Sequence, residues 1–178
     1  MQLYLIRGLV AIAWAAVFAA VSDSLTSGVT VAAGILLVIY PLIDLAASLI
    51  DARSQRGPAQ RLLLAGAAVS AVAAAALAIA ATSSVADVLA VFGVWAVLSG
   101  VAQLVVALRR RAQFGNQWLM LLAGVGSVSF GIAFLVAATG TDPMLNALAI
   151  YAAGGGIDFV VQAWLLARRR RHLATVPA

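Results

Sequence analysis

The sequence predicts an all-α polytopic membrane protein: six transmembrane helices, read as three helical hairpins of one parallel repeat. Three observations predict it. Of its 178 residues, 65% are hydrophobic and 10% charged, more apolar surface than a soluble domain of that size could hide. Its mean hydropathy is +1.09. The apolar residues fall into six stretches, each near the roughly 20 residues a helix needs to cross about 30 Å of hydrocarbon. The Arg residues collect in alternate links between these stretches, which fits an even number of spans with both termini on one side.

The first stretch, 3–21, carries Arg7 near its start. The segment after Arg7 has the length of a secretory h-region, but it matches later repeat units and is read as a retained helix. The second stretch, 28–50, contains Pro41. Arg53, Arg56 and Arg61 separate it from the third, 62–81. Ser84-Val85-Ala86-Asp87 resembles a capping box and opens the fourth, 85–108. Arg109, Arg110 and Arg111 close that helix, and the fifth spans 118–138. Asp142-Pro143 places a capping acid before a first-turn proline and opens the sixth, 144–167. Arg168, Arg169, Arg170 and Arg171 follow it. The other links hold only Asp23, Asp87 and Asp142 as charged residues. The positive-inside rule then puts both termini in the cytoplasm. Tyr4, Trp118 and Trp164 fall at the same boundary, as an aromatic belt does. No link exceeds about ten residues, so residues 1–178 form a single transmembrane domain.

Composition narrows the chemistry. Cysteine, lysine and glutamate are absent, and His172 is the sole histidine. There is no disulfide, no thiol nucleophile and no metal-ligand spacing. Gly154-Gly155-Gly156 lies inside an apolar helix and follows no strand, so it is not a phosphate loop. The expectation is a protein without catalytic residues, metal or cofactor. The net charge of +5 and pI near 11.1 are explained by topology, not by nucleic-acid binding. The run Arg168 to Arg171 reads as a contact for anionic lipid headgroups, worth about 1 kcal/mol per charge.

The repeats divide near 1–57, 58–115 and 116–178. In the odd helices a marker glycine recurs at Gly8, Gly66 and Gly124, a constant step of 58. Seven residues on stand Ala15, Ala73 and Gly131, two turns along the same face. Small residues on one face let membrane helices approach closely. In the even helices Asp44, Ser99 and Asp158 align, followed four residues later by Ser48, Gln103 and Gln162. Three parallel hairpins predict a pseudo-threefold bundle, with linear packing as the alternative.

Asp44 and Asp158 need explaining. By helical rise they lie about 10 and 15 Å inside the Arg-bearing boundary, too deep for a short side chain to snorkel. A carboxylate there costs roughly 3 kcal/mol on insertion scales. If the even helices converge, Asp44, Ser48, Ser99, Gln103, Asp158 and Gln162 form one polar layer, with Arg7 the cation that reaches it. Pro41 lies one turn before Asp44, and Gly154, Gly155 and Gly156 just before Asp158; these are candidate hinges. The acids either pin the repeats by hydrogen bonds or take up and release protons.

Six spans, three hairpins, the Arg7-Gly8 opening and an acid on returning helices resemble the HdeD family of bacterial acid-resistance membrane proteins. The pattern departs from the family where Leu45 and Phe159 follow the acids in place of Gly, and where Ser99-Gly100 keeps the Gly and loses the acid. The resemblance implies a non-enzymatic inner-membrane protein of acid or envelope stress, acting on membrane or proton homeostasis. Two alternatives stand beside it. One is a small proton-coupled transporter or channel using Asp44 and Asp158. The other is a scaffold subunit or homo-oligomer, docking a membrane-protein partner through small-residue faces such as Gly93 with Gly100, or Ala96 with Gly100.

Overall fold

The computed structural model describes residues 2–22, 28–114, 118–141, 143 and 145–174. These residues form six helices: α1 (Gln2–Ser22), α2 (Val31–Arg53), α3 (Pro58–Ala80), α4 (Val85–Phe114), α5 (Trp118–Ala138) and α6 (Asn146–Ala174). All six are long and apolar enough to cross a membrane, and the chain is a multi-pass membrane protein. Asp23 and Asp142 lie outside the described residues, as do the side chains of Arg110, Arg111, Arg169, Arg170, Arg171 and His172.

Local chemistry sets the helix ends. Thr30 caps α2 by accepting from the Ala33 amide at 3.2 Å. Helix α3 starts a turn before the predicted boundary, because Pro58 suits a first helical turn. The preceding Gly57 has φ 65°, a conformation glycine adopts without steric cost. At α4, the Ser84 hydroxyl accepts from the Asp87 amide at 3.0 Å and donates to the Asp87 carboxylate at 2.7 Å; this is the N-cap half of the capping box read from the sequence, while the Ser84 amide bonds the Ala80 carbonyl instead of Asp87. Helices α4 and α6 continue through their Arg clusters to 30 and 29 residues. Both α2 and α6 run unbroken through the candidate hinges at Pro41 and Gly154 to Gly156.

Each helix packs on its sequence neighbours, and α6 returns to pack on α1, closing a ring. The even helices do not meet backbone to backbone across it. The closest pairs are α2 with α3, α4 with α5, and α6 with α1; the hairpin partners α1 and α2, α3 and α4, α5 and α6 touch less. The tight unit is thus the last helix of one repeat with the first of the next.

Small residues explain two of these seams. A Cβ on Gly100 would stand 2.8 Å from the Gly124 carbonyl oxygen, and one on Gly156 would stand 2.8 Å from that of Gly8. Only glycine permits that approach. Gly93 meets the Gly131 carbonyl in the same way. The face of Gly93 and Gly100, a candidate docking surface in the sequence, is therefore filled by α5. So is the neighbourhood of Ala96, whose carbonyl accepts from Ser127 at 2.9 Å.

The seams also reset the repeat register. Gly8, Ala11, Ala15 and Phe18 are buried on α1. Their counterparts are Ala67, Ser70, Ala74 and Leu77 on α3, and Gly124, Ser127, Gly131 and Phe134 on α5. The steps are 59 and 57, not 58 twice. Gly66, the middle marker of the sequence reading, would meet nothing within 4 Å through a Cβ; its neighbour Ala67 is the packing residue.

The Arg-poor half of the ring is filled by aromatic side chains. Phe18, Leu37, Leu77, Phe92 and Leu148 are fully buried there. Tyr40, Phe92 and Tyr151, one from each even helix, meet in a triangle of ring contacts at 5.9, 5.6 and 6.4 Å. The outer surface carries exposed Leu9, Ile35, Val72, Val136 and Ile157, a surface suited to lipid.

Candidate functional site

Below the aromatic triangle, toward the Arg-rich end, the interior turns polar. Arg7 of α1 donates through Nη2 to Asp44 Oδ1 of α2 at 2.5 Å. Ser70 of α3 donates to the other carboxylate oxygen at 2.8 Å. Trp95 of α4 donates its indole N–H to Ser70 Oγ at 3.1 Å. Four successive helices are joined by one chain of side chains. Arg7 Nη1 also lies 3.8 Å from Asp51, and its guanidinium stands 4.7 Å from the centre of the Phe159 ring on α6. Arg7 therefore touches the helices on both sides of α1.

The partners of Asp44 among the described residues are thus Arg7 and Ser70, and not Ser48. Ser48 is buried on the same helix, one turn further on. Asp158 accepts from Gln162 Nε2 at 2.5 Å, an i, i+4 pair on α6. Gly155, Asp158 and Gln162 share the α6 face that looks inward, since a Cβ on Gly155 would approach the Tyr40 hydroxyl at 3.9 Å. On α4, Ser99 and Gln103 follow the inward-facing Trp95 at i+4 and i+8 and are half-buried. The residues singled out from the sequence share an interior, but direct bonds join only Arg7 to Asp44 and Asp158 to Gln162.

The seam geometry corrects the alignment of the acids. Gly8 and Gly124 correspond, so their partners Gly156 and Gly100 correspond as well. Ser99 then falls level with Gly155, and Asp158 lies level with Ala102. Asp158 is not the repeat equivalent of Asp44; it sits nearly a turn closer to the Arg-rich end. The same register aligns Trp95 with Tyr151, and Tyr40 with both.

Sequence reasoning passed over Ser70, Ser127, Tyr40, Trp95 and Tyr151. Ser70 receives the Trp95 indole, and Ser127 bonds the Tyr151 hydroxyl at 2.8 Å. In each case an odd-helix serine meets an aromatic side chain of the next even helix. In the first repeat Ala11 takes the serine position opposite Tyr40, and Trp14 packs on that ring at 4.5 Å. The available signal was the 57-residue step from Ser70 to Ser127.

This polar half-ring lies in and beside a stretch with a known pattern. Residues 65–136 match a family model described as a short repeat of unknown function, DUF308. It is the repeat family of HdeD-like membrane proteins. The matched segment takes in most of α3, all of α4 and most of α5, and so includes the Gly93, Gly100, Gly124 and Gly131 seam with Ser70, Trp95 and Ser127. No curated protein and no solved structure matches the chain.

Proposed function

We propose that the chain is a non-enzymatic inner-membrane protein of HdeD type, active in acid or envelope stress and responding to protons through its interior carboxylates. The observation that carries this reading is the placement of Asp44 and Asp158 inside a helical ring, on its Arg-rich side, beneath an aromatic seal. The positive-inside rule puts the Arg-rich side and both termini in the cytoplasm. The carboxylates then face cytoplasmic protons, while the seal of Tyr40, Phe92, Trp95 and Tyr151 separates them from the other face. Arg168 to Arg171 would rest on anionic headgroups at that boundary.

The chemistry follows from the partners. Among the described residues, Arg7 of α1, Tyr40 of α2 and Tyr151 of α6 are charged or titratable groups facing Asp44, and Asp51 of α2 stands beside Arg7. Protonating Asp44 removes the charge that Arg7 pairs with and loosens α1 from α2. Among the described residues Asp158 has an amide partner and no cation, so its protonation changes the interior charge without breaking an ion pair there.

The test is survival of a deletion strain after acid shock, complemented by wild type or by the Asp44→Asn, Asp158→Asn double variant, with membrane levels matched by blot. Rescue by wild type and not by the equally abundant variant is expected. A deletion strain that survives acid shock as wild type does would overturn the stress role. Equal rescue by both proteins would overturn the role of the carboxylates.

A second reading, a proton-coupled transporter or channel, is favoured by the same two interior acids. It requires the aromatic seal to open, and proton flux in reconstituted vesicles under a pH gradient is its measure. The scaffold reading draws support from the exposed apolar outer surface alone, since the Gly93 and Gly100 face is already occupied.

A further inference from the structure

Two of the ring's tight seams can be compared residue by residue. In the α4–α5 seam, Gly100 meets Gly124 and, two turns toward the Arg-poor end, Gly93 meets Gly131. In the α6–α1 seam, Gly156 meets Gly8. Two turns on, the counterparts of Gly93 and Gly131 are Ala149 and Ala15. There no glycine pair brings the two backbones together. A wedge of about 330 Å³ opens between them, lined by Ile12, Ala15, Ala16, Ala19, Ala149 and Ala153.

The ties of α1 follow the same division. Its contacts with α6 by ring and charge, Tyr4 with Phe159 at 6.0 Å and Arg7 with Phe159 at 4.7 Å, lie at the Arg-rich end. Toward the Arg-poor end α1 is tied to α2 instead. The Trp14 indole donates to the Leu36 carbonyl at 2.8 Å, and its ring packs on Tyr40. The α4–α5 seam is bridged by a chain link, whereas α6 and α1 belong to opposite ends of the sequence and are held by packing.

We propose that the α6–α1 seam is a lateral gate in the ring, pivoting on the Gly8–Gly156 crossing. Its Arg-poor half parts from α6 as α1 moves with α2, and the Arg-rich half stays closed under Arg7. Opening there brings the aromatic interior into contact with the bilayer. The gate is a property of the seam and does not depend on the acid-stress reading.

The chain has no cysteine, so spin labels can be placed cleanly. The pair Ala16→Cys with Ile150→Cys reports on the wedge. The pair Ile132→Cys with Val94→Cys occupies the corresponding positions of the α4–α5 seam and serves as the reference. Distance distributions are measured by dipolar EPR on full-length protein in lipid nanodiscs. The expected result is an added longer-distance component at 16 and 150, and a single narrow population at 94 and 132. Adding Ala15→Gly and Ala149→Gly should restore the second glycine contact and remove the longer component. Single narrow populations at both seams would overturn the gate. So would a longer component that persists after the glycine substitutions in protein of unchanged helicity.

Discussion

Breaking the Arg7–Asp44 pair one partner at a time exposes what the ring spends on it. Arg7 and Asp44 are 16% and 29% exposed through their side chains, with the closest atoms 2.5 Å apart. Removing one partner of a fully buried pair costs about 3–5 kcal/mol, because the other charge is left uncompensated. Here the exposure softens the loss. Asp51, 3.8 Å from Arg7, offers a second carboxylate, and at an effective dielectric near 20 that contact has a Coulomb energy of about 4 kcal/mol before desolvation is subtracted. Asp44→Asn is therefore expected to destabilise by about 2–3 kcal/mol. Arg7→Met should cost more, about 3–4 kcal/mol, since it leaves Asp44 and Asp51 without their cation. The double variant removes both the charge and its orphan. It should lie near the milder single variant, which makes the coupling energy about 3–4 kcal/mol. Reversible unfolding of the purified protein in bicelles, titrated with SDS, measures all four corners of this cycle. Effects that add to within about 0.5 kcal/mol would refute the argument that the two side chains act as one unit.

Two further outcomes test the seams and the serine register. Gly156→Ala places a Cβ 2.7 Å from Ile12 and 2.8 Å from the Gly8 carbonyl, and should destabilise by about 1–3 kcal/mol in the same assay. Gly154→Ala meets nothing within 4 Å and should be neutral or stabilising by up to about 1 kcal/mol from helix propensity; equal losses at both sites would show that the glycines act through helix flexibility and not through contact. Ala11→Ser should stabilise by about 0.5–1.5 kcal/mol, by giving Tyr40 the hydroxyl that Ser127 gives Tyr151. A gain that survives in a Tyr40→Phe background would rule that explanation out.

What the sequence determined by itself is what the bilayer demands locally. The number of spans, their lengths and the sorting of Arg to one end follow from crossing hydrocarbon with every backbone group satisfied. Single residues carry those signals, as does the cap at Ser84. The depth of Asp44 and Asp158 in their helices was legible too, because an acid in an apolar helix stands out without any knowledge of its neighbours. What only the tertiary structure decided is which helices press together and in what register. Hairpin partners in sequence are the looser pairs, and α6 closes on α1 across the length of the chain. Gly66 yields to Ala67, and Asp158 is level with Ala102 and not with Ser99. The physical reason lies in how membrane helices associate. Lipid is as apolar as leucine, so association depends on close packing between particular small faces. A shift of one residue turns a helix by about 100°, and in a chain this rich in Ala, Val and Leu either register reads equally well until two backbones are seen in contact.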